Sequence, residues 1–287
     1  MYNEGTYKKQ NQVELWRIIM FVPFEKEDLG KKPFVKNEIL FNLFHIISQS
    51  ETEVSLKTTD GNLIALCSPG RSMWLWINEE LGLNKKSELL VLLAGELLGK
   101  NITGVVAEQD IAGGFAACYA ELMNAKIKKD HGLIAYSCSD VIEPEGVKGK
   151  MLPSHESHTE AIAKCLAGFS IDAHHVESDL KSKIIAAEKM IDEGNLYVWY
   201  VDGHVVSTAK IGYKVAGFAR INTVYTFPDK RKNGYASALI AGVSKIALNG
   251  NLTPVLYTDM TNPATNKMYK NIGYVEKGRL DSFSFIY

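Results

Sequence analysis

Val224-Tyr225-Thr226-Phe227-Pro228-Asp229-Lys230-Arg231-Lys232-Asn233-Gly234-Tyr235-Ala236-Ser237-Ala238-Leu239 is the stretch whose reading decides the fold. A β-branched and aromatic run ends at a proline, a basic segment follows, then Gly-x-Ala, then an apolar helical run. A strand passing straight into a helix leaves the first-turn N–H groups without intrahelical partners. Those amides, the positive end of the helix dipole, the charges of Arg231 and Lys232 and the small residues Gly234 and Ala236 together suit a phosphate or pyrophosphate. The structural alternative is a polar strand-to-helix turn with a solvated basic run. The loop is neither G-x-x-x-x-G-K-[ST] nor G-x-G-x-x-G.

Working outward, the second half of the chain reads clearly. Ser157 opens a helix to about Phe169, with Glu160 in the capping-box position. Ser178 or Asp179 caps a second helix through Ile191, stopped by Gly194. Leu196 to Val201 and His204 to Ile211 are strands joined by the hairpin dipeptide Asp202-Gly203. Ala219 to Thr226 is the next strand, Gly234 to Leu248 a helix, Pro254 to Asp259 a strand, and Ala264 to Asn271 a short helix. Tyr274 to Glu276 and Ser282 to Ile286 are final strands. This order gives an α+β sheet domain.

In the first half, Glu38 to Ser50 has the spacing of an amphipathic helix, and Glu53 to Leu56 with Leu63 to Cys67 flank a Thr59-Asp60-Gly61-Asn62 turn. Ser72 to Ile77 is a strand, Ser87 to Gly99 a helix, Thr103 to Ala107 a strand, Ile111 to Ile127 a helix and Leu133 to Ser137 a strand. The polar, Pro- and Gly-containing run Val141 to Lys150 marks a boundary, so the domains are expected at 1–146 and 147–287.

Bulk properties narrow the function. The 287 residues favour about two domains at roughly 150 residues each. A formal net charge of −1 gives no general attraction for nucleic acid or an anionic membrane, so an anion site must come from local placement. The four cysteines (Cys67, Cys118, Cys138, Cys165) form no C-x-x-C pair, which argues for packed, reduced thiols. The start, Met1 to Gly5, lacks an apolar signal region, and the longest apolar runs are shorter than a bilayer span, so the expected location is the cytoplasm, with no membrane partner.

A second motif gives the loop its meaning. Tyr257 to Tyr274 contains Asn262-Pro263, Asn266, Tyr269 and Gly273-Tyr274, the pattern N-P-x-x-N-x-x-Y-x-x-x-G-(Y/F). Together with Arg231-x-x-Gly234-x-Ala236, which matches (Q/R)-x-x-G-x-(G/A), it resembles the GNAT superfamily of acyl-CoA-dependent N-acetyltransferases. The resemblance covers roughly 149 to 287; the first half resembles, weakly, the degenerate partner domain of two-domain members. It implies a GNAT-like α+β (α/β) fold: a central mixed, mostly antiparallel sheet flanked by helices, preceded by a degenerate α/β domain.

The resemblance further implies acetyl-CoA as acyl donor and a primary amine as acceptor, in a ternary complex without a metal. Backbone groups of Val224, Tyr225 and Thr226 would pair with the pantetheine arm. Amides of Arg231, Lys232, Asn233, Gly234, Tyr235, Ala236 and Ser237 would hold the pyrophosphate. Asn262 and Asn266 would hydrogen-bond the arm, and Tyr269 would protonate the leaving thiolate. Read as structure alone, Asn262 is a helix cap before Pro263, Asn266 a solvated helix residue and Tyr269 a buried aromatic. The strand Phe218 to Val224 has no acid, which leaves the general base open. Other readings are a non-catalytic CoA-binding module and an acyltransferase for a longer acyl-CoA.

The remaining candidates read as structure. His155 with His158, and His174-His175, lack the companions of a metal site. Cys165 fits a helix core beside Ile162, Leu166 and Phe169. Trp74 and Trp76 fit sheet packing, with a wall for an acyl acceptor as the functional alternative. The apolar final strand Phe283 to Tyr287 is a candidate for pairing in a homodimer.

Overall fold

The computed structural model describes residues 21–174, 176–177 and 179–287. The chain forms two compact units: one comprises residues up to Ile134 together with Gly278–Tyr287, the other Ala135–Lys277. The division falls before the Pro- and Gly-containing run, not at 146/147, and the last residues return to the first unit. The reason is backbone pairing: the C-terminal strand completes the first unit's sheet.

In the first unit, β1 (Phe21–Pro23), β2 (Val54–Thr58), β3 (Leu63–Cys67) and β4 (Met73–Ile77) pair antiparallel in order. Before β2 lies a one-turn helix, α1 (Phe44–Ile47). The amphipathic helix expected over 38–50 is otherwise absent: Phe44 and Ile46 bond to carbonyls three residues back, in tight turns. These turns bring Phe34, Phe41 and Phe44 against Trp74 and Trp76, with Phe34 edge-on to Trp76 at 5.3 Å. The Trp76 indole N–H donates to Asn37 at 3.0 Å, so both tryptophans are packing residues of this unit.

Next come α2 (Leu83–Glu96), β5 (Gly104–Ala107), α3 (Gln109–Met123) and β6 (Lys126–Lys129). The helix expected to reach Ile127 stops at Asn124, whose φ of 50° is left-handed, and a strand follows. Leu89, Leu93, Phe115 and Tyr119 close the core over β3, β4 and β5.

In the second unit, β7 (Leu133–Ser137) contributes its last three residues. Then follow β8 (Lys150–Pro153), α4 (Thr159–His174), α5 (Leu180–Asp192), β9 (Leu196–Val201), β10 (His204–Val215), β11 (Phe218–Thr226), α6 (Tyr235–Asn249), β12 (Thr253–Asp259) and α7 (Pro263–Asn271). Sheet order is β7-β12-β11-β10-β9-β8. Pairs from β8 to β11 are antiparallel and β11–β12 is parallel. The fold is therefore mixed α/β on a mostly antiparallel sheet flanked by helices. Asp179 caps α5 by accepting from the Ser182 N–H; Ser178 lies outside the described residues. Asp202 (φ 47°) and Gly203 (φ 84°) form the tight turn between β9 and β10.

The final strand, β13 (Val275–Ile286), is continuous where two strands were expected. Gly278, at φ 148°, lies within it; a Cβ there would meet Leu40 at 2.9 Å. From Asp281 on, β13 pairs with β5 along one edge and with β6 along the other. Phe283 and Ser284 are thus paired on both edges within the first unit, so these two residues offer no free strand edge.

Candidate functional site

The site begins with a parting of strands. β11 and β12 pair only from Phe218↔Thr253 to Arg220↔Val255, and each then continues without the other. On its other side β11 stays paired with β10, through two irregularities. Three steps of β11, Tyr225 back to Asn222, oppose two steps of β10, Thr208 to Lys210, so β11 carries an extra residue there. Thr223, at φ 52°, marks the bulge, a conformation unusual for a β-branched side chain. The second shift gives the extra residue to β10 at Gly212. A Cβ at 212 would lie 2.3 Å from the Asn222 amide nitrogen, so glycine makes room for that side chain.

At the open end of β11, Phe227 leads through a one-turn 3-10 helix (Pro228–Lys230) into the basic loop. Lys232 (φ 67°) and Gly234 (φ 79°) are left-handed, and Ala238 is the first α6 residue to bond back, to the Gly234 carbonyl at 3.0 Å. The amides of Tyr235, Ala236 and Ser237 thus precede the helical bonding pattern. Small residues are required at 234: beyond its positive φ, a Cβ there would lie 3.0 Å from Val147.

Arg231 is more engaged than the sequence implies. Its Nε donates to the Thr226 carbonyl at 3.1 Å, its Nη2 to Asp172 at 2.5 Å, and its guanidinium lies 5.3 Å from the Tyr225 ring centroid. Expected as a free charge beside a pyrophosphate, it buckles the loop to α4 and β11. Burial, with the nearby Asp172 carboxylate adding to it, raises the Tyr225 phenol pKa. Asn233 braces the turn by donating to the Lys230 and Arg231 carbonyls. Lys230 pairs with Asp229, and Lys232 is exposed.

Across the opening, α7 follows β12. The Asn262 side chain caps α7, accepting from Thr265 N–H at 3.1 Å, in keeping with the capping alternative. Asn266 is buried rather than solvated: it donates to the Asp259 carbonyl at 3.0 Å and accepts from the Tyr136 hydroxyl at 3.4 Å. Tyr269 is 5% exposed, between Tyr136 (6.1 Å) and Tyr274 (5.5 Å). Burial pushes its phenol pKa well up, so it is a protonated hydroxyl across the neutral range. Tyr136 is a partner that sequence reasoning missed, because β7 is far from the motif along the chain.

A cleft of about 550 Å³ opens beside the bulge, lined by Met190, Glu193, Lys210, Tyr213, Asn222 and Thr223 among others. Glu193, at the C-cap of α5, pairs with Lys210 at 2.5 Å. No strand pattern flags Glu193; it enters the site because α5 ends there. On β11, Arg220 lies 4.8 Å over the Tyr257 ring, and its buried Nη1 has no hydrogen-bond partner among the described residues. Burial lowers its pKa.

The other sequence candidates are structural. His155 accepts from Ser157 N–H, and His158 accepts from His155 N–H. Burial lowers the His158 pKa. His175 and the His174 side chain lie outside the described residues. Cys165 is fully buried, and burial pushes its thiol up to about 12. Among the described residues, no group of three or more His, Cys, Asp or Glu could hold a metal ion. Nor, among them, is any helix long and apolar enough to cross a membrane.

Residues 164–274 match the family model described as the acetyltransferase (GNAT) family. No curated protein matches the sequence. Among solved structures, the chain is similar to an acetyltransferase from the GNAT family of Colwellia psychrerythraea, at 13% identity and a TM-score of 0.57, covering 93% of this chain and 99% of that one. A GCN5-related N-acetyltransferase from Sphaerobacter thermophilus gives 15% identity and 0.59 over 92% and 94%. One from Kribbella flavida gives 16% and 0.55 over 88% and 96%. At such identities the likeness is one of fold.

Proposed function

We propose, from the match of residues 164–274 to the acetyltransferase (GNAT) family model, that this protein transfers an acetyl group from acetyl-CoA to a primary amine by direct attack in a ternary complex. The observation that carries the reading is the parting of β11 and β12 beyond Arg220 and Val255, with free helix amides at its open end. The pantetheine arm adds to the exposed edge of β11 at Val224, Tyr225 and Thr226 as a further strand would. Its pyrophosphate meets the amides from Arg231 to Ser237, helped by the α6 dipole and Lys232. Arg231 serves by holding the loop rather than by touching phosphate.

The thioester then lies at the Thr223 bulge. A strand N–H near Val224 polarises the carbonyl and favours the tetrahedral intermediate. Asn266 fixes the start of α7 against β12, and Asn262 holds its first turn, so both act by placing Tyr269 as well as by offering groups to the arm. As the C–S bond breaks, Tyr269 gives its proton to the sulfur. A high phenol pKa keeps that proton available at neutral pH.

Calorimetry with acetyl-CoA, followed by thiol release across an amine panel, tests the proposal. Binding with turnover of some amine supports it. Binding without turnover on any amine selects the non-catalytic module, and a preference for longer chains selects the alternative acyl donor. Absence of CoA binding overturns the site.

A further inference from the structure

The cleft beside the bulge identifies the kind of acceptor. Its charged lining residues are Glu193, from the end of α5, and Lys210, on β10 directly opposite Asn222. They meet at 2.5 Å, and the Lys210 side chain is only 12% exposed. An amine entering alone would take Glu193 and strand Lys210 as a nearly buried cation without a counter-charge, an arrangement proteins avoid at high cost. A ligand with both an ammonium and a carboxylate exchanges each partner for its equivalent and leaves no charge unpaired.

Building on the acetyl-transfer reading, we propose that the acceptor is a small amino-acid-type zwitterion, with its ammonium on Glu193 and its carboxylate on Lys210. The same contact supplies the base that β11 lacks. The ammonium gives one proton to the Glu193 carboxylate, and the neutral nitrogen attacks the thioester carbon. The C–N bond forms and the C–S bond breaks as Tyr269 gives its proton to sulfur; the second N–H proton restores the Tyr269 hydroxyl, and Glu193 releases the first proton to solvent. Asn222, given room by Gly212, offers an amide to either end of the ligand.

The test uses the full-length protein with free α-amino acids, the matching amino-acid amides, and the matching decarboxylated amines. Thiol release is expected to favour the free amino acids by about tenfold or more in kcat/KM, since a site built to pair a polar group rejects analogues lacking it. Lys210→Met, which keeps the packed methylenes, is expected to erase that preference. Glu193→Gln is expected to lower kcat, with acetyl-CoA affinity unchanged.

Equal or better turnover of the decarboxylated amines, or a preference that survives Lys210→Met, overturns the proposal. Direct binding of the amino acids to the CoA-free protein, followed by line broadening in NMR, separates this idea from the acyl-transfer reading. Amino-acid binding lost in Lys210→Met supports the cleft even if acetyl-CoA does not bind. Acetyl-CoA binding with no amino acid bound or acetylated sinks the zwitterion assignment alone.

Discussion

Gly168 of α4 lies directly against the Tyr225 hydroxyl: a Cβ at 168 would stand 2.3 Å from that oxygen and 2.6 Å from the ring carbon bearing it. The absent side chain lets Tyr225 seat on the helix, and Arg231 covers the other part of the ring. A glycine in mid-helix thereby supports the geometry of the basic loop.

Gly168→Ala should displace Tyr225 and loosen Arg231. Overpacking of this kind costs about 1–3 kcal/mol, read as a lower denaturation midpoint. Weaker acetyl-CoA binding in calorimetry, with the fold retained by circular dichroism, is the expected companion. Unchanged affinity would detach this contact from the loop.

Gly234→Val attacks the loop directly. Residue 234 is left-handed at φ 79°, and even a Cβ would press on Val147. A β-branched residue is poorly tolerated at such φ, so the first turn of α6 should shift. Acetyl-CoA affinity is expected to fall by about tenfold or more, since close backbone approach is lost. Wild-type affinity would place the pyrophosphate elsewhere.

Tyr269→Phe should leave acetyl-CoA binding intact and lower kcat by about a hundredfold or more, the range for a lost general acid. Because burial raises the phenol pKa, the wild-type enzyme should keep its turnover into the alkaline range without a limb due to this residue. A kcat equal to wild type, with chemistry rate-limiting, removes Tyr269 from the mechanism.

Asn262→Ala and Asn266→Ala separate capping from placement. Loss of the Asn262 cap should cost about 1 kcal/mol of stability. Loss of Asn266 removes one hydrogen-bond partner from the half-buried Asp259 carbonyl and one from the Tyr136 hydroxyl, and should cost about 1–3 kcal/mol. Urea titration monitored by tyrosine and tryptophan fluorescence distinguishes the two. Equal, negligible effects would contradict the contacts described.

Cys165 gives a pH prediction. Burial raises its thiol from an ordinary 9.0 to about 12 in the fold. The folded state therefore holds this proton more tightly than the unfolded chain. The contribution to stability is complete below about pH 9 and is lost as pH rises toward 12. Replacement by Ala should flatten the alkaline decline in stability measured between those values. In the native protein at neutral pH, a thiol reagent should leave Cys165 unmodified.

Much of the C-terminal unit was legible because its signals are local. The proline after Phe227, the Asp202-Gly203 dipeptide and the apolar run after Gly234 fix strand ends and a helix start through backbone chemistry within a few residues. The motif around Asn262 to Tyr269 likewise located α7. The first unit read less well: spacing at 38–50 suggested a helix, but aromatic packing of Phe34, Phe41 and Phe44 on the tryptophans favoured tight turns. Two short strands were expected over Tyr274 to Ile286, whereas pairing with β5 and β6 carries β13 on as one strand.

The sequence by itself determined that a strand ends in a phosphate-suited helix start and that a tyrosine-bearing helix follows the next strand, because both are written in contiguous residues. Only the tertiary structure decided what those parts face. It closed Arg231 onto Asp172 and Tyr225, and buried Asn266 beneath Tyr136. It also brought Glu193 to Lys210 beside the Thr223 bulge. The Glu193–Lys210, Asp172–Arg231 and Tyr136–Asn266 pairings join residues 17 to 130 positions apart in the chain, and they arise from how helices pack on a sheet, which no local pattern encodes.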